Sequence, residues 1–220
     1  MANAKLNFKT PLLPLSWVNI AGQGKLKMNK KDNGDPANYN YVATAIYPDE
    51  AAMKADKAIF DKFWRENKPA GCTKQNYTMF KPVMKDVLGT DGKPTYDEDD
   101  AKIKTPTGEY SLTAKTITHW PKESRVNVVK VLRANGNPLQ LGDKIIGEGS
   151  IGVLHGSLGI NAFGGNEGLA FYLEAVQLKK FVEYVGDVEV HADDLGDEDL
   201  GDLDDGIDAA DVSNQDGPSI

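Results

Sequence analysis

The stretch IGVLHGSLGINAF, Ile151 to Phe163, decides how this chain folds. It is apolar and strand-like, yet Gly152, Gly156 and Gly159 interrupt it. Glycine inside a strand weakens it and marks a sharp bend or bulge, which closing a sheet into a small barrel demands. Leu169 to Tyr184 supplies the next strand through a hairpin loop, Gly164-Gly165-Asn166-Glu167-Gly168, and Ile145-Ile146 supplies a short preceding one.

Further back, Val126 to Arg133 is β-branched with Lys130 inside it, and Asn135-Gly136-Asn137-Pro138 marks a turn. Glu109 to Ile117 alternates, Tyr110, Leu112 and Ala114 opposing Thr113, Lys115 and Ile117. Asn38 to Tyr47 alternates more cleanly. Val42, Thr44 and Ile46 share one face, while Tyr39, Tyr41, Ala43, Ala45 and Tyr47 share the other, an aromatic face with gaps. Pro48-Asp49 opens a helix running to about Asn67, with Met53, Ile59, Phe60, Phe63 and Trp64 on its apolar stripe.

Two segments read as irregular. Gly71 to Thr107 is rich in Gly, Pro and Asp and reads as a long connection with little regular structure, of the kind that forms binding loops. Gly22 to Pro36 reads as a basic loop carrying Lys25, Lys27, Lys30 and Lys31. At the start, Pro11 and Pro14 place Leu6 to Ile20 at an edge or bend. These elements together predict a mainly β chain, a small partly open barrel with one inserted helix.

Charge divides the chain in two. Residues 187–220 hold thirteen of the thirty-three acidic residues and no Lys or Arg, leaving twenty acids against twenty-five bases, about +5, in residues 1–186. A segment with so much like charge and so few large apolar residues does not bury enough surface to offset its ordering entropy, so 187–220 reads as a disordered acidic tail behind one domain, 1–186. Beside a basic body, a tethered polyanion competes for whatever anion that body binds; a purely solubilising tail is the plainer alternative.

No catalytic constellation emerges. Gly147-Glu148-Gly149-Ser150-Ile151-Gly152 has the spacing of a dinucleotide fingerprint but leads into a strand rather than a helix. His119, His155 and His191 lack companions at ligand spacing, and Cys72 is the only cysteine. No enzyme activity, metal or cofactor is therefore expected. The single cysteine suits a reducing cytoplasm, and no apolar run approaches membrane-spanning length. What remains is aromatic residues interleaved with basic ones, a pattern suited to stacked bases and tracked phosphates: Tyr39, Tyr41, Tyr47, Phe80, Lys81, Tyr110, Lys115, Trp120, Lys122, Arg125 and Lys130. Trp17, Tyr77 and Arg133 belong to the same pattern, and Trp17 and Trp120 would otherwise be core residues.

The basic barrel, the helix after Tyr39 to Tyr47, the closing run with Gly156-Ser157-Leu158-Gly159 and Ala162-Phe163-Gly164-Gly165-Asn166, and the abrupt acidic tail resemble the bacteriophage single-stranded DNA-binding proteins. The resemblance implies an OB-fold that coats single-stranded DNA in phage replication, recombination and repair, in the cytoplasm of the bacterial host. It implies Tyr39, Tyr41, Tyr47, Tyr110, Lys115 and Lys130 as contacts, and a tail that recruits replication proteins such as polymerase, helicase or primase. Several relatives end in an aromatic residue, whereas this chain ends Gly217-Pro218-Ser219-Ile220. Exposed strand edges could pair two copies into a homodimer. The competing reading is a phage structural or interaction module with a β-sandwich fold.

Overall fold

Strand β8, Ile151–Phe163, pairs antiparallel with β9, Asn166–Lys180, from Ile151↔Lys180 to Phe163↔Asn166. The register slips twice, between Ile151 and Gly152 and between His155 and Gly156, so the bends fall where the glycines stand. At Gly156 the reason is close approach of backbone. A Cβ there would lie 1.9 Å from the Tyr172 carbonyl oxygen and 2.9 Å from the Phe171 ring, so only glycine permits the approach.

The other strands are β1 (Lys5–Lys9), β2 (Leu13–Asn19), β3 (Lys25–Leu26), β4 (Tyr39–Tyr47), β5 (Phe80–Asp86), β6 (Lys104–Ile117) and β7 (Lys130–Arg133). The computed structural model describes residues 4–27, 30–72, 79–120, 125–163 and 166–184, all inside one compact unit, Met1–Val185. The acidic segment 187–220 lies outside the described residues, as do Gly164 and Gly165 of the hairpin loop.

The strands form one sheet ordered β1-β8-β2-β4-β6-β9-β7, and the additional β8–β9 pairing closes β2, β4, β6, β9 and β8 into a ring. The closure is uneven. Eight register pairs join β4 to β6, but the parallel seam of β6 and β9 has a single one, Lys115↔Tyr172. This is the partly open, five-stranded barrel of an OB-fold rather than two stacked sheets. β1 and β2 share the same edge of β8 in succession, with the chain bending between them at Pro11, and Leu154 N–H donates to Thr10 Oγ1 (3.0 Å) at the corner.

The inner face of β4 is Tyr41, Ala43, Ala45 and Tyr47, packed against Leu112 and Ala114 of β6 and Leu154 and Leu158 of β8. Helix α1, Glu50–Asn67, is capped by Asp49, whose side chain accepts from Ala52 N–H (2.7 Å), with Glu50 in the first turn and Pro69 after its end. It buries Met53, Phe60, Phe63 and Trp64 while Ile59 stays exposed. Phe60 meets Phe8, Phe80 and Phe171 edge-on at centroid distances of 4.9, 5.0 and 6.1 Å. Each such pair contributes roughly 0.5–1.5 kcal/mol beyond burial itself, so the helix is fixed to the barrel by one aromatic knot. Among the described residues no helix is long and apolar enough to cross a membrane.

Four expectations are corrected. Gly71 to Thr107 is not an irregular connection throughout: β5 pairs antiparallel with β6, whose first residue is Lys104, and the hairpin continues through the bridges Leu88↔Pro94 and Tyr96↔Lys102. The basic loop contains β3, paired with Asn40 and Tyr39. Ile145-Ile146 makes only one bridge, Ile146↔Glu183, and the strand expected from Val126 begins at Lys130. Replacing Gly156 with Ala should lower stability by about 1–3 kcal/mol through overpacking against fixed backbone, measured as a shift of the urea unfolding midpoint.

Candidate nucleic-acid interface

The faces of β4 and β6 that point away from the core meet in register as Val42↔Lys115, Thr44↔Thr113 and Ile46↔Ser111. The hydroxyls of Thr44 and Thr113 are hydrogen-bonded to each other at 2.9 Å. These residues form the recessed floor of a trench of about 710 Å³, walled on one side by Trp17, Lys25 and Lys27 and on the other by Val83 of β5. Two further hollows adjoin it. One, of about 240 Å³, lies between Lys81, Lys115 and Tyr172; the other, of about 650 Å³, includes Lys5, Trp120, Val128, Lys130 and Tyr172. Lys115 lines all three, so it stands at the centre of a continuous groove.

Three large rings border this groove in the open. Trp17 is 71 % exposed, Trp120 42 % and Tyr172 40 %. Strand alternation would bury Trp17 with Leu13 and Leu15. A bulge between Ser16 and Asn19 instead turns it outward and puts Val18 into the core, with Trp17 at φ 52°. A bulky residue in the left-handed region stores roughly 1–3 kcal/mol of strain, and such strain collects where a side chain is held for use. Lys25 Nζ lies 5.2 Å from the centroid of the Trp17 ring, and the Arg125 guanidinium 5.6 Å from that of Trp120. Each of these two rings thus carries a cation beside it.

The electrostatics of the floor are unusual in one place. Burial, with Lys81 and then Lys25 nearby, holds the Lys115 amine below the ordinary lysine range. Three like charges brought together in this way disfavour the charged form, and a phosphate placed among them would relieve the repulsion. Among the described residues no three His, Cys, Asp or Glu side chains gather at metal-binding spacing.

The expected contact residues divide between this groove and the core. Lys81, Lys115, Trp120 and Lys130 line the groove, and Arg125 sits against Trp120. Tyr39, Tyr41, Tyr47 and Phe80 do not line these three hollows, and all four are buried. The rings of Tyr41, Tyr47 and Phe80 belong to the core cluster, whereas Tyr39 lies outside it and lines a separate hollow with Lys27 and Trp120. The Tyr47 hydroxyl donates to Asp56 Oδ2 (2.6 Å), and burial, then that carboxylate, pushes its pKa upward, while burial also raises that of Asp56. Tyr41 donates to the Gly22 carbonyl (3.2 Å) and burial raises its pKa; Tyr39 donates to Asp32, and that hydrogen bond is the main cause raising its own. Tyr110, opposite Tyr47 in register, is half-buried on the core side of β6. Lys122 lies outside the described residues.

Sequence reasoning left Lys25 and Tyr172 outside the contact set, and it placed Trp17 in the aromatic–basic pattern without counting it as a contact. Tyr172 was accessible to it, since Leu169, Phe171 and Leu173 alternate with Ala170, Tyr172 and Glu174. The outward placement of Trp17 was not, because the bulge reverses the alternation.

No family model matches the chain, and no curated protein matches it. Solved structures do match. Gp2.5, a single-stranded DNA binding protein encoded by bacteriophage T7, is 17 % identical with a TM-score of 0.54 over 89 % of this chain and 95 % of that one. The single-stranded DNA-binding protein from bacteriophage Enc34, solved in complex with ssDNA, is 16 % identical with a TM-score of 0.50 over 82 % of this chain and 89 % of that one. The likeness is one of fold, and it agrees with the resemblance read from the order of elements in the sequence.

A depressed lysine loses its charge at lower pH than its neighbours. Affinity for a polyanionic oligonucleotide should therefore fall as pH rises from neutral into the alkaline range, before ordinary lysines titrate. In Lys115→Arg, whose guanidinium stays charged, that fall should be absent in a binding titration repeated across pH.

Proposed function

We propose that this chain binds single-stranded DNA without regard to sequence and acts as a non-enzymatic coat. One observation carries this reading: a groove in which Lys25, Lys81 and Lys115 converge while Trp17, Trp120 and Tyr172 expose ring faces along its borders. The cations track phosphates and the rings receive bases, each stacked base contributing roughly 1–3 kcal/mol. A duplex hides its base faces inside its own stack and gains only the electrostatic part. The strands and loops equivalent to β4 and β6 are also where OB-folds bind oligonucleotides, and two proteins of like fold are named for single-stranded DNA binding.

In this account Lys130 extends the phosphate track beyond Trp120, and the expected tyrosines of β4 support the groove from behind instead of stacking. The acidic segment 187–220 competes with DNA for the basic groove and recruits replication proteins of the polymerase, helicase or primase kind. The setting is phage DNA replication, recombination and repair in the cytoplasm of the bacterial host. The outer edges of β1 and β5 are the places for a second copy to pair into a homodimer.

Fluorescence polarisation with a labelled oligo-dT and the matching duplex tests the reading on the full chain and on a chain ending at Gly186. Single-strand preference, a negative slope of log affinity against log salt of about 0.7 per phosphate contacted, and tighter binding after truncation are expected. Absence of binding by both chains removes nucleic acid from the account. Trp17→Ala should cost about 1–3 kcal/mol of affinity at unchanged stability. Tyr47→Phe should do the reverse, leaving affinity alone and lowering unfolding free energy by about 1–3 kcal/mol because Asp56 loses its buried donor.

A further inference from the structure

Tyr172 sits at the least-paired seam of the barrel, the single β6–β9 register pair, and at the junction of two of the three hollows. Its ring does not stand off the sheet. In the β8–β9 ladder Tyr172 pairs with Ser157, and Gly159, paired with Ala170, is its diagonal neighbour on the same face. A Cβ on Gly159 would lie 2.7 Å from Tyr172 Cε2, 3.5 Å from Cδ2 and 3.8 Å from Cζ, so the ring lies across the bare backbone of β8.

We propose that Gly159 is a positioning residue for nucleic-acid binding: its missing side chain is the seat that holds the Tyr172 ring in place as the central stacking platform of the groove. The inference rests on the single-strand reading and adds a residue that touches no ligand.

The two glycines of this strand differ in a way that isolates the role. At Gly156 the obstacle to a side chain is backbone, which does not give way. At Gly159 every close atom belongs to the Tyr172 ring, and the residue has none of the left-handed φ that would itself require glycine. An alanine there meets no backbone obstacle, and glycine inside a strand is an entropic liability that alanine reduces. The fold would tolerate the exchange and the ring would have to move. A ring laid over a strand glycine can also serve packing alone. In that case Tyr172 would matter to stability and not to binding.

The experiment compares the full chain with Gly159→Ala, Tyr172→Ala, the double variant and Tyr172→Phe. Affinity for oligo-dT is measured over a series of salt concentrations, and the thermal midpoint of each variant is recorded. Gly159→Ala and Tyr172→Ala should each weaken binding by a similar factor, roughly 5- to 100-fold for one lost stacking ring. The double variant should bind no worse than Tyr172→Ala, and Tyr172→Phe should bind like the parent. The salt slope should be unchanged throughout, since no phosphate contact is lost, and the Gly159→Ala midpoint should equal or exceed the parent's. Parent-like affinity in Gly159→Ala, or a lowered midpoint with an altered slope, overturns the inference and assigns the glycine to the fold or to nothing. A parent chain that does not bind overturns the single-strand reading, and the inference falls with it.

Discussion

Five strands close into a ring only if one of them bends hard enough to bring both sheet ends together, and here that strand is β8. The bend depends on a backbone-to-backbone approach at Gly156 that no other residue permits. Once β8 has turned, β9 is carried round to β6 and touches it at Lys115↔Tyr172. The weakness of that seam has a use. A fully paired seam would put a continuous sheet where the structure has hollows, and Lys115 and Tyr172 would be two residues of a ladder instead of the meeting point of three cavities.

Aromatic residues in this chain do two separate jobs. Those of the core, Tyr41, Tyr47, Phe60, Phe80 and Phe171, fill a barrel whose inner wall on β4 is thinned by Ala43 and Ala45. Small residues between large ones leave room for the tyrosine rings to fold inward, and each hydroxyl finds an acceptor at the edge of the core, at Gly22 or Asp56. The rings bordering the groove, Trp17, Trp120 and Tyr172, stay in the open because a bulge, the end of β6 and a glycine seat hold them there.

The same distinction explains what was legible in the sequence. Strand β8 was readable to the residue because its apolar run and its glycines are local signals, and α1 was readable from Asp49, its stripe and Pro69. The two faces of β4 were readable as faces. Which one turns inward was not, since that depends on where β8 and β9 pass, and the polar hydroxyls of the tyrosines gave no sign that their rings fill the core. The β5–β6 hairpin escaped because its hydrogen bonds join residues such as Lys81 and Ser111, thirty positions apart, through sequence whose Gly, Pro and Asp content argues locally for loop. Of the groove, its lysines at 81, 115 and 130 and its Trp120 were found from composition, which also picked out Trp17; that Trp17 faces the groove needed a bulge that no periodicity reports.

What the groove offers a ligand also sets how much it can read. Reading a base requires donors and acceptors aimed at its edge, as bidentate Asn, Gln or Arg contacts are. The floor residues Thr44 and Thr113 satisfy each other, the nearby Ser157 hydroxyl donates to Glu174 (3.0 Å), and the Lys side chains present point charges without a fixed fork. Rings accept any base by its face, and lysines accept any phosphate. On the proposed single-strand reading, a groove furnished in this way would hold a strand by charge and stacking while leaving most of its sequence unread. Asn40, on the floor between the trench and the Trp120 hollow, is the side chain best suited to an exception, because it carries both a donor and an acceptor where the two compartments meet.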